Sequence, residues 1–247
     1  MRTIENIFEV ISSRLLPSAC IVCGVFGQRT VCVDCSSRLA LEQLLNYECC
    51  QQCGLTLQVS ELKDKRCQEC AFNAPYFDQT FCLDRYDGRL QSALHQLKYQ
   101  RRLAYAHGLA SAWNHLMPKD LHSLQADFLL PVPLSPEKLC LRGFNQSWEL
   151  ARRIHCDKRI HKNPHILKRH HHNRHQASEN RANRQLAIQD MFFINPRYQG
   201  QLASTSVIVF DDVMTSGATL NEIARVLKDN GVSRVINWVL LRTLRPS

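Results

Sequence analysis

The 247-residue chain has no run of 18 apolar residues, although 45% of its residues are hydrophobic. A membrane-crossing helix is therefore not expected. Glu5 and Glu9 interrupt the apolar positions of the opening "MRTIENIFEVISSRLLP". A secretory signal needs a continuous apolar core, so this start reads as mature protein and the chain is expected to be cytoplasmic. Ile4, Ile7, Phe8, Ile11 and Leu15 suit one face of a short helix instead, packed on its own protein or lying on a membrane surface. No glycine-rich loop ends in Gly-Lys-Ser/Thr, and G-x-G-x-x-G is missing. Walker A chemistry and a dinucleotide-binding Rossmann site are thereby unsupported. No internal repeat is visible apart from paired cysteines.

Cysteine is plentiful. Eight of the 12 cysteines form four Cys-x2-Cys pairs: Cys20/Cys23, Cys32/Cys35, Cys50/Cys53 and Cys67/Cys70. Each such turn presents two thiolates, and two turns complete a tetrahedral zinc shell. Up to two structural zinc ions are expected. A disulfide framework is the rival reading, and it requires an oxidising compartment. Cys49 adjoins Cys50 and could substitute for it as a ligand. Cys82, Cys140 and Cys156 stand alone and read as buried or unremarkable thiols. A segment of about 60 residues has little apolar mass of its own, so metal would supply the missing stability.

"FNAPYFDQ" marks a junction, giving an N-terminal region at 1–75 and a larger domain at 76–247. In the latter, "FCLDRY", "DFLLPVP", "MFFI", "SVIVF" and "RVINWVLLRT" read as strands. Leu90, Ala93, Leu94 and Leu97 share helical spacing; Trp148, Leu150, Ala151 and Ile154 begin another helix; Leu220–Asn230 forms a third, capped by Gly231. A loop is expected after "DFLLPVP". Alternation of strands and helices implies an α/β domain with a mostly parallel sheet.

"VIVFDDVMTSGATL" carries the chemistry. Asp211 and Asp212 follow a buried strand, where open α/β sheets bind ligands. Thr215, Ser216, Gly217, Ala218 and Thr219 open the next helix, whose free amides and dipole suit a phosphate. Adjacent carboxylates accept hydrogen bonds from a vicinal diol, so the set describes a binder of ribose 5-phosphate. The plainer reading is an ordinary capped helix with acids in its turn; two acids after a buried strand are then costly. The net charge of +9 resides between Lys138 and Arg184, where 12 Lys/Arg face three acids and 7 of the 11 histidines lie. Such a block suits a polyanion. The run "RHHHNRH" reads as a basic solvated loop before it reads as a metal site, because consecutive histidines rarely converge on one ion.

With these motifs in view, the chain resembles the ComF family of competence proteins, which includes GntX-type proteins, over nearly its full length. "VIVFDDVMTSGATL" is similar to the loop of type I phosphoribosyltransferases that binds 5-phosphoribosyl-1-pyrophosphate (PRPP). "PVPLSPEKLCLRGFNQSWELA" is similar to the family's proline strand end and Arg-Gly-Phe-Asn-Gln signature. "RHHHNRHQASENRANRQLAIQDMF" is similar to its Gln, Arg-x-x-Asn and aromatic stretch. The resemblance implies a double zinc ribbon followed by a type I phosphoribosyltransferase-like domain, with flanking helices on a mostly parallel sheet. It implies that Asp211 and Asp212 serve as catalytic and ribose-binding acids and that Thr215–Thr219 cradle the 5′-phosphate. Arg142 would meet the pyrophosphate, with Mg²⁺ held mainly by ligand oxygens. Arg174, Arg181 and Arg184 would belong to a flexible loop closing over PRPP. Lys98 reads first as a helix-surface lysine and second as a residue lining the cleft. The family's role implies handling of incoming single-stranded DNA for transformation, with other DNA-uptake or recombination proteins as partners. The alternative is a PRPP-dependent phosphoribosyltransferase of nucleotide metabolism without DNA contact. The proline-rich loop departs from the pattern in lacking the Thr/Ser-Gly of an efficient pyrophosphate loop. Phe144, Trp148, Phe192 and Phe193 are candidates for base stacking, though core packing accounts for most such aromatics.

Overall fold

A computed structural model describes residues 18–122, 124–170 and 190–244. The expected N-terminal helix, the basic run 171–189 with Arg174, Arg181 and Arg184, and most of the histidine run lie outside these residues.

Nine strands and eight α-helices are described. The strands are β1 (Ser18–Ala19), β2 (Phe26–Gly27), β3 (Gln79–Arg85), β4 (Phe128–Pro131), β5 (His161–Lys162), β6 (Leu167–Arg169), β7 (Phe192–Ile194), β8 (Ser206–Met214) and β9 (Arg234–Arg242). The helices are α1 (Val33–Glu42), α2 (Gln68–Phe72), α3 (Gln91–Tyr99), α4 (Ala104–Leu116), α5 (Lys119–His122), α6 (Pro136–Arg142), α7 (Gln146–Ala151) and α8 (Ala218–Asp229). Five strands form one sheet in the order β3-β9-β8-β4-β5, and every neighbouring pair is parallel. The expected α/β class and parallel sheet are therefore present. "MFFI" differs: β7 pairs antiparallel with β6 in a separate two-stranded sheet. "PVPLSPEKLCLR" also contains more structure than a loop. Ser135 caps α6 by accepting from Lys138 N, Pro136 supplies the first-turn φ, and Gly143 ends the helix at φ 84°.

β8 shows how the sheet is buried. Successive side chains of a strand alternate between faces. Val207 and Val209 pack in one cluster with Leu220, Ile223 and Leu227 of α8. Ile208 and Phe210 pack in the other with Leu94 and Leu97 of α3, Trp113 of α4 and Leu150 of α7. The connection from β4 runs through α6 and α7 towards β5, and the connection from β8 runs through α8 to β9, so chains leave the adjacent β4 and β8 in opposite directions. Their carboxyl ends flank the topological switch point of the sheet.

The cysteine segment covers part of the α8 face. Leu44, Cys50, Cys53, Leu55, Cys67 and Cys70 belong to the same cluster as Val207 and Val209. Cys20, Cys23, Cys32 and Cys35 converge in one group and Cys50, Cys53, Cys67 and Cys70 in another, each with its sulfurs within 4.8 Å of one another. Both groups are built alike. Cys20–Cys23 and Cys50–Cys53 form tight turns closed by Gly24 N→Cys20 O and Gly54 N→Cys50 O, each 2.8 Å. Gly24 and Gly54 sit at positive φ, 76° and 70°. The other two ligands come from a helix start: Cys32 and Cys67 are the N-cap residues of α1 and α2, and Cys35 and Cys70 lie in the first turns. A helix N-terminus favours thiolates.

The arrangement fits zinc. Four sulfurs about 2.3 Å from a tetrahedral ion stand about 3.8 Å apart. Cys23 and Cys32 are separated by 3.8 Å and Cys53 and Cys67 by 3.5 Å. Burial alone would raise Cys20, yet the backbone amides of Cys23, Cys32 and Val22 bring its thiol down to about 6. Cys35 is pushed up to about 12 by burial and by the neighbouring Cys32, Cys23 and Cys20 sulfurs. Four thiolates so close repel one another, and a divalent cation reverses that repulsion. Cys49 is outside the group and faces the Leu44 carbonyl at 3.7 Å, so Cys50 is the candidate ligand. The second group is wholly buried within the core of the sheet, whereas Cys23 is exposed. Cys67→Ser should therefore cost more than Cys23→Ser. We expect each to lower zinc content by one ion per chain. Cys67→Ser should depress Tm by on the order of 10 °C and Cys23→Ser by less than half of that. Metal analysis with thermal unfolding checks this, and equal losses from the two would contradict the ranking.

Candidate functional site at the carboxyl ends of β4 and β8

β4 pairs with β8 only as far as Pro131 opposite Phe210, while β8 continues beside β9 to Met214 opposite Arg242. Asp211 and Asp212 thus lie inside β8, beyond the end of β4. The sequence places the strand end at Phe210; pairing with β9, distant in sequence, carries it four residues further. Both acids are buried.

Three elements receive the two carboxylates. Ser147 of α7, itself fully buried, donates its hydroxyl to Asp211 Oδ1 at 3.3 Å, and Asp212 N donates to the same oxygen at 2.9 Å. Lys98, near the end of α3, forms an ion pair with Asp212 Oδ2, with 16% of the Lys98 side chain and 5% of the Asp212 side chain exposed. The contact lacks hydrogen-bond alignment, so it acts through charge. Lys98 is therefore a partner of the acid pair. The first sequence reading, a helix-surface lysine, is corrected: i+4 from Leu94 puts it beside the buried stripe. Burial, followed by the charge of Asp212, pushes the Asp211 carboxyl well above the usual carboxylate range.

The Arg-Gly-Phe-Asn-Gln signature builds the opposite wall. Asn145 caps α7 by accepting from Ser147 N at 3.0 Å and Trp148 N at 3.3 Å, and its amide donates to Val132 O at 3.0 Å. That cap fixes Ser147 against Asp211. Arg142 bonds Gln146 and sits 5.9 Å over the Tyr99 ring. Lys138 on α6 is pulled down, mainly by burial and then by Arg169, Arg142 and Lys98, while Asp212 opposes the shift. Ser147, Lys138 and Tyr99 are site residues that sequence reasoning missed. Ser147 carried a signal in the capping Asn two residues earlier.

The turn after β8 is tightly constrained. Gly217 precedes α8 at φ 82°, and a Cβ there would lie 2.6 Å from Met214 Cε. The Met214 methyl could swing aside, but the left-handed φ would strain any residue with a side chain. Thr215 and Ser216 are exposed, and Ala218 and Thr219 are partly buried. Ala218 N donates to Ser216 Oγ at 3.4 Å. Arg242 donates from Nη1 to Met214 O at 3.0 Å and also to Thr215 O. The structure thus brings Asp211, Asp212, the 215–219 turn, Arg142, Lys98 and Lys138 to one end of the sheet. A cavity of about 510 Å³ opens elsewhere, with Asp127, Asp157, Arg159, Ser206, Ser233 and Arg234 among its lining. There Asp127 already accepts from Ser206 N and Asp157 is paired with Arg159. The acids of β8 retain the distinctive chemistry.

Removing Lys98 should expose the cost of these acids. Lys98→Met leaves a buried carboxylate without its cation and is expected to destabilise the fold by about 3–5 kcal/mol. The double change Lys98→Met with Asp212→Asn should recover most of that loss. Denaturant unfolding at neutral pH measures both, and a single variant within about 1 kcal/mol of wild type would rule out the ion pair as a support.

No family model matches the chain. Curated relatives do. The DNA utilization protein YhgH of Escherichia coli O6:H1 is 30% identical over 242 residues, covering 93% of this chain and 99% of that protein. Competence protein F of Haemophilus influenzae is 25% identical, covering 85% and 96%. Competence protein ComFC of Streptococcus pneumoniae is 24% identical, covering 86% and 87%. Among solved structures, an allosteric regulatory enzyme of purine biosynthesis aligns with a TM-score of 0.39 at 14% identity, over 60% of this chain. This chain spans only 30% of that enzyme's length. A hypoxanthine phosphoribosyltransferase from Staphylococcus aureus aligns with a TM-score of 0.33 at 13% identity, covering 56% and 62%. The end-to-end match to the curated proteins carries the assignment: this chain belongs to the family of the DNA utilization protein YhgH, with the ComF competence proteins among its relatives.

Proposed function

We propose that the protein binds PRPP at the β8 end of the sheet and acts in the handling of single-stranded DNA taken up for transformation. The observation that carries the first part is the buried Asp211–Asp212 pair, followed at once by a turn and a helix N-terminus. The carboxylates accept from the ribose 2′ and 3′ hydroxyls. The amides and hydroxyls of 215–219 hold the 5′-phosphate. Lys138 and Arg142 face the pyrophosphate, whose developing charge a cationic wall stabilises if transfer occurs. Mg²⁺ arrives on the ligand's own oxygens, since it keeps few protein ligands. No carboxylate need be spared for the metal, and Lys98 already occupies one.

The names of the relatives support the DNA role, and the surface beside the site suits it. Tyr99 is 63% exposed and Leu141 68% exposed, next to Arg142, with Arg101 and Arg102 in the turn after α3. A cationic ledge with an exposed ring suits stacked bases and a phosphate backbone.

Asp211→Ala with Asp212→Ala should weaken PRPP binding roughly tenfold or more per carboxylate, since hydrogen bonds to charged groups contribute about 1.5–3 kcal/mol. Calorimetry with Mg²⁺ present tests this, and unchanged affinity in the double variant refutes the site. For DNA, affinity for an unstructured oligonucleotide should fall with salt. Arg101→Gln with Arg102→Gln should reduce the slope by about 1.4, roughly 0.7 for each phosphate no longer neutralised. No binding at low ionic strength would leave PRPP-dependent transfer without DNA contact as the reading.

A further inference from the structure

Arg242, at the end of β9, is only 2% exposed. Its guanidinium donates from Nε to Cys53 O at 3.0 Å, and from Nη1 to Met214 O at 3.0 Å, Thr243 O at 2.9 Å and Thr215 O. All four acceptors are neutral carbonyls, and Arg242 forms no ion pair with any described residue. A buried cation without a counter-ion is costly. One acceptor, Thr215 O, lies in the turn proposed to hold phosphate and a second, Met214 O, ends the strand that leads into it; a third belongs to a cysteine of the second thiol group. Zinc with four thiolates carries a net charge of −2, which is the charge this guanidinium lacks.

We propose that Arg242 is a positioning residue joining the second cysteine group to the turn at 214–217. It acts as counter-cation to a zinc tetrathiolate at Cys50, Cys53, Cys67 and Cys70. The same guanidinium fixes the main chain that presents Thr215 and Ser216. Arginine suits this double task because its planar fork donates in several directions at once, whereas lysine offers a point charge. Zinc occupancy thereby bears on the order of a turn in another part of the fold.

The test uses the full-length zinc-loaded protein and two readouts that need no PRPP. The first is zinc release to a colorimetric chelator, in which the phase missing from Cys67→Ser belongs to the second group. The second is amide exchange in the peptide covering 214–219. Arg242→Met should speed that release phase about tenfold or more, the usual scale of an outer-sphere loss, and leave the other phase unchanged. Arg242→Lys keeps the charge, so release should stay within about threefold of wild type while exchange at 214–219 rises. Chelation of wild-type zinc should also raise exchange there. The proposal is overturned if the second group of wild type holds no zinc, if Arg242→Met leaves release unaltered, or if neither chelation nor Arg242→Lys changes exchange at 214–219. Should Arg242→Met fail to fold, Arg242→Lys and wild-type chelation still decide the link. The inference rests on the metal reading alone, so loss of PRPP binding by some other route leaves it standing.

Discussion

Placing two carboxylates side by side at the end of a buried strand imposes most of what surrounds them. β4 ends opposite Phe210, which opens the β8 edge where the acids begin. α3 and α7 pack on the same face of the sheet through Leu94, Leu97 and Leu150. That packing delivers Lys98 to Asp212 and Ser147 to Asp211. Neither partner is reached locally, because Lys98 lies over a hundred residues before the acids and Ser147 more than sixty. The apolar core is therefore also the means by which the charge is compensated. A cavity at Leu97 would disturb the electrostatics of the acids as well as the packing.

The opposite face has a different economy. A parallel sheet needs cover on both sides. Here α8 supplies part of that cover, β6 and β7 supply more through Leu167, Phe192 and Ile194, and the cysteine segment contributes Leu44, Leu55 and four buried thiols. The sequence suggests a division near residue 75, yet the apolar cluster is continuous across that point. Gly54 shows how close the approach is, since a Cβ there would stand 2.7 Å from Cys82 Sγ of β3. Thr80 binds the same segment through N→Gln51 O at 3.1 Å and Oγ1→Gln52 O at 2.6 Å. A metal held by these cysteines would order the segment and so seal one side of the sheet. Its contribution to stability would then reach beyond its own ligands.

What was legible in the sequence depended on range. The four Cys-x2-Cys pairs and the acids after "VIVF" are local patterns, and each names its own chemistry. The capping sequence Ser135-Pro136 was equally local and marked a helix in what read as a loop. Choosing Cys50 over Cys49 was a matter of geometry, because both adjoin the same turn. Lys98 looked like a solvated cation, since its partner lies on a strand formed much later in the chain. Arg242 follows the apolar run Trp238–Leu241 and could be seen as odd, but its acceptors at Cys53 and Met214 are set by tertiary packing alone. The end of β8 shifted for the same reason: pairing with β9 is a long-range property.

The distribution of charge follows this logic. Along the chain, the excess of Lys and Arg falls between 138 and 184. In the fold, several of these cations are engaged at short range, although their acidic partners belong to the same block and its net excess stands. Arg152 and Arg153 pair with Glu149, and Arg159 pairs with Asp157. Lys162 donates to the Ile154 carbonyl. Among the described residues, Lys138, Arg142 and Arg169 gather near Lys98, whose own segment continues into Arg101 and Arg102. The electropositive face is thus assembled mainly from two stretches about forty residues apart, joined where Arg142 lies over Tyr99. Its charge falls off within about 8–10 Å in physiological salt, so it acts on what has already reached the mouth of the cleft. Lys138, Arg142 and Lys98 there stand beside the acid pair. Cations next to hydroxyl-accepting acids suit the class of ligand proposed above, whose charge is carried at its ends with hydroxyls between them.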